Sequence, residues 1–329
     1  MSDGNSEAAL IQSLFAPLTL GVPGSYGLRD DVAFLQPTPL GLIVTQDQII
    51  EGTHFLADDP LDKIAKRLVR RNLSDMIGKG AIPTAAFLSL AWPKSRDRSG
   101  LKAFARGLGE DLDQLCGNCP LMGGDTSETQ GHLVASLTMI GTPSARNGLP
   151  VLRSGAQVGD VVAVTGVIGD SWLGLQARLG KLAPEQFEKC VAVSMAPSPP
   201  DLAIARSIGR FANASIDVSD GLIKDCAHIG DASGVSVTID LERMPLSQEA
   251  RSFCGVDRNL ERLLKLASGG DDYQMLVTLA GEDVEAYCRA GEQLGVAITC
   301  VGTCHQGRGV SLNYYAKPVE MPYETGWQI

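Results

Sequence analysis

A chain of 329 residues, 44% hydrophobic and 20% charged, is long enough for two domains that each bury a core. Its net charge of -10 argues against a nucleic-acid binder that relies on a broad basic face. No apolar run approaches the ~18–20 residues of a membrane span, and the opening MSDGNSEAAL lacks a secretory signal's basic and apolar segments, so a cytoplasmic location is the default.

The first half alternates between strand and helix patterns. GLIVTQD (41–47) is a predicted strand. A helix follows from Pro60, with apolar Ile64, Leu68, Leu73 and Ile77 on one face and Gly78-Lys79-Gly80 closing it. AAFLSLAWP (85–93) is a second strand, GLKAFARGLGEDLDQL (100–115) a helix, and LMGGD (121–125) and LVASLTMIGT (133–142) two more strands. The Pro, Gly and Ser-rich loop TPSARNGLPVLRSGAQVGD marks the best domain boundary, giving domains 1–148 and 149–329. In the second half the predicted order is strand DVVAVTG, helix GDSWLGLQARLG, helix after the prolines of MAPSPPDLAIARSIGRF, strand ASIDVS, helix DGLIKDCAHIGDAS, strand VSVTID and strand YQMLVTL. Each half mixes strands and helices, so the fold class is mixed α/β.

Aspartates recur where these elements end: Asp30 and Asp31, Asp47, Asp75, Asp125, Asp217 and Asp220, Asp271 and Asp272. Any one of them is readily explained as a cap or turn residue. Asp75 resists that explanation, because a carboxylate in the last turn of a helix meets the negative end of the dipole, at a cost of about 0.3–1 kcal/mol. A nearby cation would offset it. Strand ends in α/β architectures tend to point toward a shared edge where ligands bind. If four or five carboxylates met there within ~5 Å, each like-charge pair would repel by roughly 3 kcal/mol at an effective dielectric near 20. Such a cluster requires cations, and oxygen donors without His or Cys select magnesium, which bridges to phosphates.

The usual phosphate-binding devices are missing: there is no GxxxxGK[ST] loop, no HRD catalytic loop, no DFG and no GxSxG elbow. GVIGDS (166–171) could cradle an anion, although close strand-helix packing accounts for its glycines better. His54, in EGTHF, is open between a structural role and a substrate contact. Eight cysteines are expected as reduced, mostly buried thiols. The pairs Cys116/Cys119 and Cys300/Cys304 could form a four-thiolate zinc site, but they lie far apart in sequence and lack a convincingly spaced His.

The stretches DDVAFL, TQDQIIEGTHF, RNLSDMIGKGAIP, LMGGDTS, RSGAQVGD, VTGVIGDSWLGL, IDVSDGLIKDCAHI and LASGGDDYQ, in this order, resemble the thiamine-monophosphate kinase family. That family belongs to the superfamily of aminoimidazole ribonucleotide synthetase and selenophosphate synthetase. The resemblance spans nearly the whole chain and implies a two-domain fold of that type, a homodimer paired through N-terminal sheets, and ATP-dependent conversion of thiamine monophosphate to thiamine diphosphate. It implies direct in-line transfer without a phosphoenzyme, assisted by several magnesium ions.

Position by position, the resemblance assigns metal binding to Asp31, Thr45, Gln46, Asp47, Asp75, Asp125, Asp217 and Asp220. It assigns ATP contacts to Gly124, Asp125, Arg153 and Ser219, and substrate contacts to His54, Asp271 and Tyr323. A guanidinium fork suits phosphate at Arg153, and an aromatic ring suits a cationic thiazolium at Tyr323. The chain departs from the family pattern at Arg29, where Gly is usual, at Gln46, which replaces a hydroxyl residue, and at Asp271, where Glu is common. It also ends GWQI where the family usually has an aromatic-x-His-Phe tail. Two rivals stay in play: a related ATP enzyme with another acceptor, and a silent nucleotide-binding protein, which the changes at Arg29 and Gln46 keep open.

Overall fold

The computed structural model describes residues 10–29, 33–35, 39–145 and 148–321. The chain divides into two compact units: residues 1–76 with 82–143, and residues 77–81 with 144–329. Among the described residues, no helix is long and apolar enough to cross a membrane.

In the first unit four strands form one sheet in the order β1-β4-β2-β3, where β1 is Ile43–Ile50, β2 Ala81–Pro93, β3 Leu121–Thr129 and β4 Val134–Pro143. Two helices cover it, α1 (Leu61–Gly78) and α2 (Gly100–Gln114). The apolar face of α1 buries Ile64, Leu68, Leu73 and Ile77, as its spacing predicts, and Gly80 in left-handed backbone (φ 65°) ends it. On α2 the residues Leu101, Phe104, Leu108 and Leu112 are buried, with Phe104 edge-on to Trp92 of β2 at 6.4 Å. A two-pronged ion pair joins the helices: Arg70 Nε and Nη2 donate to buried Asp111 at 2.6 and 3.2 Å.

The second unit is built on a seven-stranded sheet in the order β11-β10-β7-β9-β5-β8-β6. Its strands are β5 (Val161–Thr165), β6 (Ala212–Asp217), β7 (Val235–Asp240), β8 (Met275–Leu279), β9 (Ile298–Gln306), β10 (Gly309–Tyr314) and β11 (Lys317–Val319). Helices α3 (Asp170–Arg178), α4 (Glu188–Met195), α5 (Ile204–Phe211), α6 (Leu222–Ser233), α7 (Gln248–Cys254), α8 (Leu260–Ser268) and α9 (Val284–Gln293) complete it. Its core draws Val162 and Val164 from β5, Ile216 from β6, Leu222, Ile223 and Cys226 from α6, and Leu263 and Leu266 from α8. β8 is buried at all five positions, which explains its continuous apolar reading, MLVTL. Helices α4, α7, α8 and α9 and strands β9 to β11 add to the elements expected from sequence.

Candidate active site

Strand β1 sorts its polar residues by the two-residue alternation of a pleated strand. Thr45 and Asp47 share one face, which meets α1: the Thr45 hydroxyl donates to Asp75 Oδ2 at 2.5 Å, and the Asp47 N–H donates to Asn72 Oδ1 at 3.1 Å. Arg71 Nη2 lies 3.3 Å from Asp47 Oδ1. Asp75 thus sits in the last turn of α1, as expected, with a hydroxyl donor beside it. Gln46 points the other way, where its amide donates to Ser136 Oγ at 3.0 Å. The strand's pleat therefore separates the Gln46 side chain from Thr45, Asp47 and Asp75.

Asp125 occupies β3, in register with Ser89 of β2. Because β1 and β3 are the two edges of this sheet, two strands separate Asp125 from Asp47. That amounts to roughly 14 Å across a flat sheet at ~4.8 Å per strand. Within this unit Asp125 does not join the Asp47 and Asp75 pair in one ~5 Å cluster. Gly124 beside it permits the close approach of β3 to β2, since a Cβ there would run into the Leu88 carbonyl oxygen.

His54 folds back on the end of β1: its Nδ1 accepts the Ile50 N–H at 3.1 Å, and its own N–H donates to the Ile50 carbonyl at 2.9 Å. The neutral ring therefore carries its proton on Nε2. Arg29 is exposed and donates from Nε to Gln12 Oε1 at 3.0 Å. Asp31 and Tyr323 lie outside the described residues.

In the second unit IDVSDG and SGGDDY, more than 50 positions apart, pack together. The Asp271 N–H donates to the Ser219 carbonyl at 2.8 Å, and the Tyr273 N–H to the Val218 carbonyl at 2.8 Å. Gly270 makes this approach possible, because a Cβ there would strike the Ser219 carbonyl oxygen. Asp271 and Tyr273 both adopt left-handed backbone (φ 68° and 50°), and the Tyr273 hydroxyl donates to Asp271 Oδ1 at 2.8 Å. Paired non-glycine residues in this region mark a segment whose surroundings impose its shape.

Asp217 ends β6, and Asp220 follows in the turn to α6. Asp220 does not cap that helix; Gly221 holds the cap position, and Lys224 Nζ lies 2.9 Å from Asp220 Oδ2. Sequence reasoning missed Asp225. Its Oδ2 accepts the Ser219 and Asp220 N–H groups, both at 3.0 Å, and its residue is 1% exposed. Burial first, then the charges of Asp217 and Asp220, push its carboxyl well above the usual range, against the pull of those two N–H groups. Oxygens of Asp220 and Asp225 and a ring nitrogen of His228 all fall within 4.8 Å of one another. The available signal was a carboxylate five residues after Asp220, at a position α6 turns inward.

Arg153 lies on an exposed loop anchored to the edge strand β6, where the Leu152 carbonyl accepts the Ser215 N–H at 2.9 Å. Lys79 Nζ donates to the Ser215 carbonyl at 2.6 Å, tying residues 77–81 to the same strand. The GVIGDS loop binds a carboxyl group from its own unit: the Gly169 N–H, at the start of α3, donates to both oxygens of buried Asp272 at 3.1 and 2.9 Å. All eight cysteines are free thiols, and burial pushes Cys119 and Cys304 up to about 12 and Cys116 well above its ordinary value.

Each unit thus gathers hard oxygen donors: Thr45, Asp47 and Asp75 in the first, Asp217, Asp220 and Asp225 in the second. Carboxylates grouped around one turn suit a small divalent cation such as magnesium.

The family model for AIR synthase related protein, N-terminal domain, matches residues 29–142, and that for the C-terminal domain matches residues 157–314. A thiamine-monophosphate kinase of Caulobacter vibrioides is 39% identical over 319 residues, covering 96% of this chain and 89% of the relative. Among solved structures, the thiamine-monophosphate kinase of Stenotrophomonas maltophilia K279a superposes with a TM-score of 0.83 at 30% identity, over 95% of this chain and 98% of its own. AaThiL complexed with AMPPCP and TMP superposes with a TM-score of 0.74 at 29% identity, over 91% of this chain and 90% of its own. With matches of this length across both units, the chain belongs to the thiamine-monophosphate kinase family of AIR synthase related proteins.

Proposed function

We propose that this protein transfers the γ-phosphoryl group of ATP to the phosphate of thiamine monophosphate, forming thiamine diphosphate and ADP. One observation carries the reading: the turn that bears Asp217, Ser219 and Asp220 is held against the segment that bears Asp271, so candidate phosphate-side and substrate-side groups share one structural unit. A relative complexed with AMPPCP and TMP supports the same pairing of ligands.

Magnesium is the implied cofactor. Asp47, Asp75 and Thr45 in the first unit, and Asp217 and Asp220 in the second, are the residues to hold it, with Asp31 and Asp125 as further candidates. Bound magnesium neutralises phosphate charge and orients the reacting groups. The chain's own residues do the rest. Ser219 and Arg153 bind the nucleotide phosphates, while Asp271, with His54 and Tyr323, orients the acceptor. No side chain is needed as a nucleophile, since transfer from one phosphate to another requires positioning and charge neutralisation above all. Residues 1–148 serve as the ATP- and metal-binding and dimerisation domain, and the active form is a homodimer in the cytoplasm.

The test is turnover. Purified protein with ATP, magnesium and thiamine monophosphate should accumulate thiamine diphosphate, read as its fluorescent oxidised derivative on a column. A protein that binds ATP and makes no product would be the silent binder. Product from another phosphorylated acceptor, and none from thiamine monophosphate, would favour a related ATP enzyme.

A further inference from the structure

We propose that Asp225 is a positioning residue that presents Ser219 and Asp220 to the magnesium nucleotide through two backbone hydrogen bonds. The inference rests on the nucleotide and metal role proposed above for that turn. Asp225 lies one helical turn inside α6 and is 1% exposed, so its carboxylate serves the interior of the unit. A single oxygen, Oδ2, accepts both the Ser219 and the Asp220 N–H at 3.0 Å. These consecutive donors fix the peptide plane between Ser219 and Asp220, and with it the direction in which both side chains leave the backbone. On the other side of the turn, the Ser219 carbonyl accepts the Asp271 N–H. The turn is thus clamped from two sides, by Asp225 on its donors and by the SGGDDY segment on its acceptor.

Oxygens of Asp225 and Asp220 and a ring nitrogen of His228 lie within 4.8 Å of one another. Lys224 is drawn to Asp220 at 2.9 Å, and His228 Nε2 lies 3.9 Å from the same oxygen. The α6 face toward the turn therefore offers Lys224 as a counter-charge to Asp220, while Asp225 works from beneath through hydrogen bonds. In this arrangement the geometry of the acceptor matters more than its charge.

Asp225→Asn and Asp225→Ala separate the two contributions. An asparagine oxygen can still accept both N–H groups; alanine leaves them without an acceptor. In ligand-free protein, hydrogen exchange at the Ser219 and Asp220 amides should quicken about tenfold or more in Asp225→Ala and stay within about threefold of wild type in Asp225→Asn. Calorimetric binding of magnesium–AMPPCP should weaken about tenfold in the alanine variant and within about threefold in the asparagine variant. If Asp225→Ala does not fold, Asp225→Asn decides: near-normal exchange and binding uphold the hydrogen-bond role. A tenfold loss of nucleotide binding in Asp225→Asn, with amide exchange unchanged, would overturn it in favour of direct metal ligation. Unchanged exchange and binding in Asp225→Ala would also overturn it. Both readouts are independent of phosphoryl transfer, so wild-type protein that makes no thiamine diphosphate would refute the proposed function and leave this inference to be judged on exchange and binding.

Discussion

Asp75 Oδ2 accepts the Thr45 hydroxyl at 2.5 Å, joining the last turn of α1 to strand β1. That carboxylate sits in the last turn of α1, where the negative end of the helix dipole disfavours its charge. Asp75→Asn keeps an acceptor oxygen for Thr45 and relieves a dipole penalty of about 0.3–1 kcal/mol. The expected outcome is an unchanged or slightly raised melting temperature together with a fall in kcat of about 100-fold or more, as several kcal/mol of charge stabilisation are lost. Thermal unfolding and steady-state kinetics on one preparation check both; wild-type turnover would remove Asp75 from the metal site.

Arg153 stands on a loop held to β6 through the Leu152 carbonyl, so truncating its side chain leaves the anchor intact. Arg153→Ala should raise the KM for ATP about 10- to 100-fold, the worth of one charge-assisted phosphate contact of ~1.5–3 kcal/mol. The KM for thiamine monophosphate should stay the same. A change confined to thiamine monophosphate would reject the assignment.

Gly270→Ala places a methyl group against the Ser219 carbonyl oxygen, a backbone atom that cannot rotate away. Displacing the turn should cost roughly 1–3 kcal/mol, the usual range for overpacking. The melting temperature should drop, and binding of both ATP and thiamine monophosphate should weaken, because Gly270 lies between their assigned contacts. Denaturant unfolding and two KM values measure this. Unchanged stability would mean that the turn yields freely.

Asp170 begins α3, is 9% exposed, and accepts the Ser247 hydroxyl at 2.6 Å. Burial raises its carboxyl above the ordinary value, Glu249 adds to the shift, and hydrogen bonds from Ser247 and Cys190 oppose it. A raised folded-state value means the folded protein holds this proton more tightly than the unfolded chain does. The associated stability is present below the unfolded value of about 3.9 and is lost as pH rises through the folded value. Asp170→Asn removes that titration. Relative to wild type, its melting temperature should therefore climb as pH goes from about 3.5 toward neutrality and level off once Asp170 is charged. A difference independent of pH would contradict this origin.

The sequence made the periodic elements readable because burial enforces their spacing. Helix α1 shows its buried face in Ile64, Leu68, Leu73 and Ile77, and β1 shows the alternation that puts Thr45 with Asp47. That same alternation already placed Gln46 on the opposite face, a consequence the motif alone conceals. Edge position was hidden for a different reason: Asp47 and Asp125 both end a strand motif, yet strand order sends them to opposite edges of the sheet. Asp225 escaped notice because a buried carboxylate that accepts backbone N–H groups resembles any helical aspartate until the turn above it is seen. The GVIGDS glycines could have served an incoming anion or close packing; the occupant of their N–H is the chain's own Asp272.

Direct, magnesium-dependent transfer between two phosphates is tested most directly by ATP labelled in its γ-phosphoryl group. With magnesium and thiamine monophosphate, the label should appear in the terminal phosphate of thiamine diphosphate, in equal amount to ADP, with none left on the protein and none moved when magnesium is chelated. Label retained on the protein, released only as inorganic phosphate, or transferred equally well without a divalent cation would contradict it.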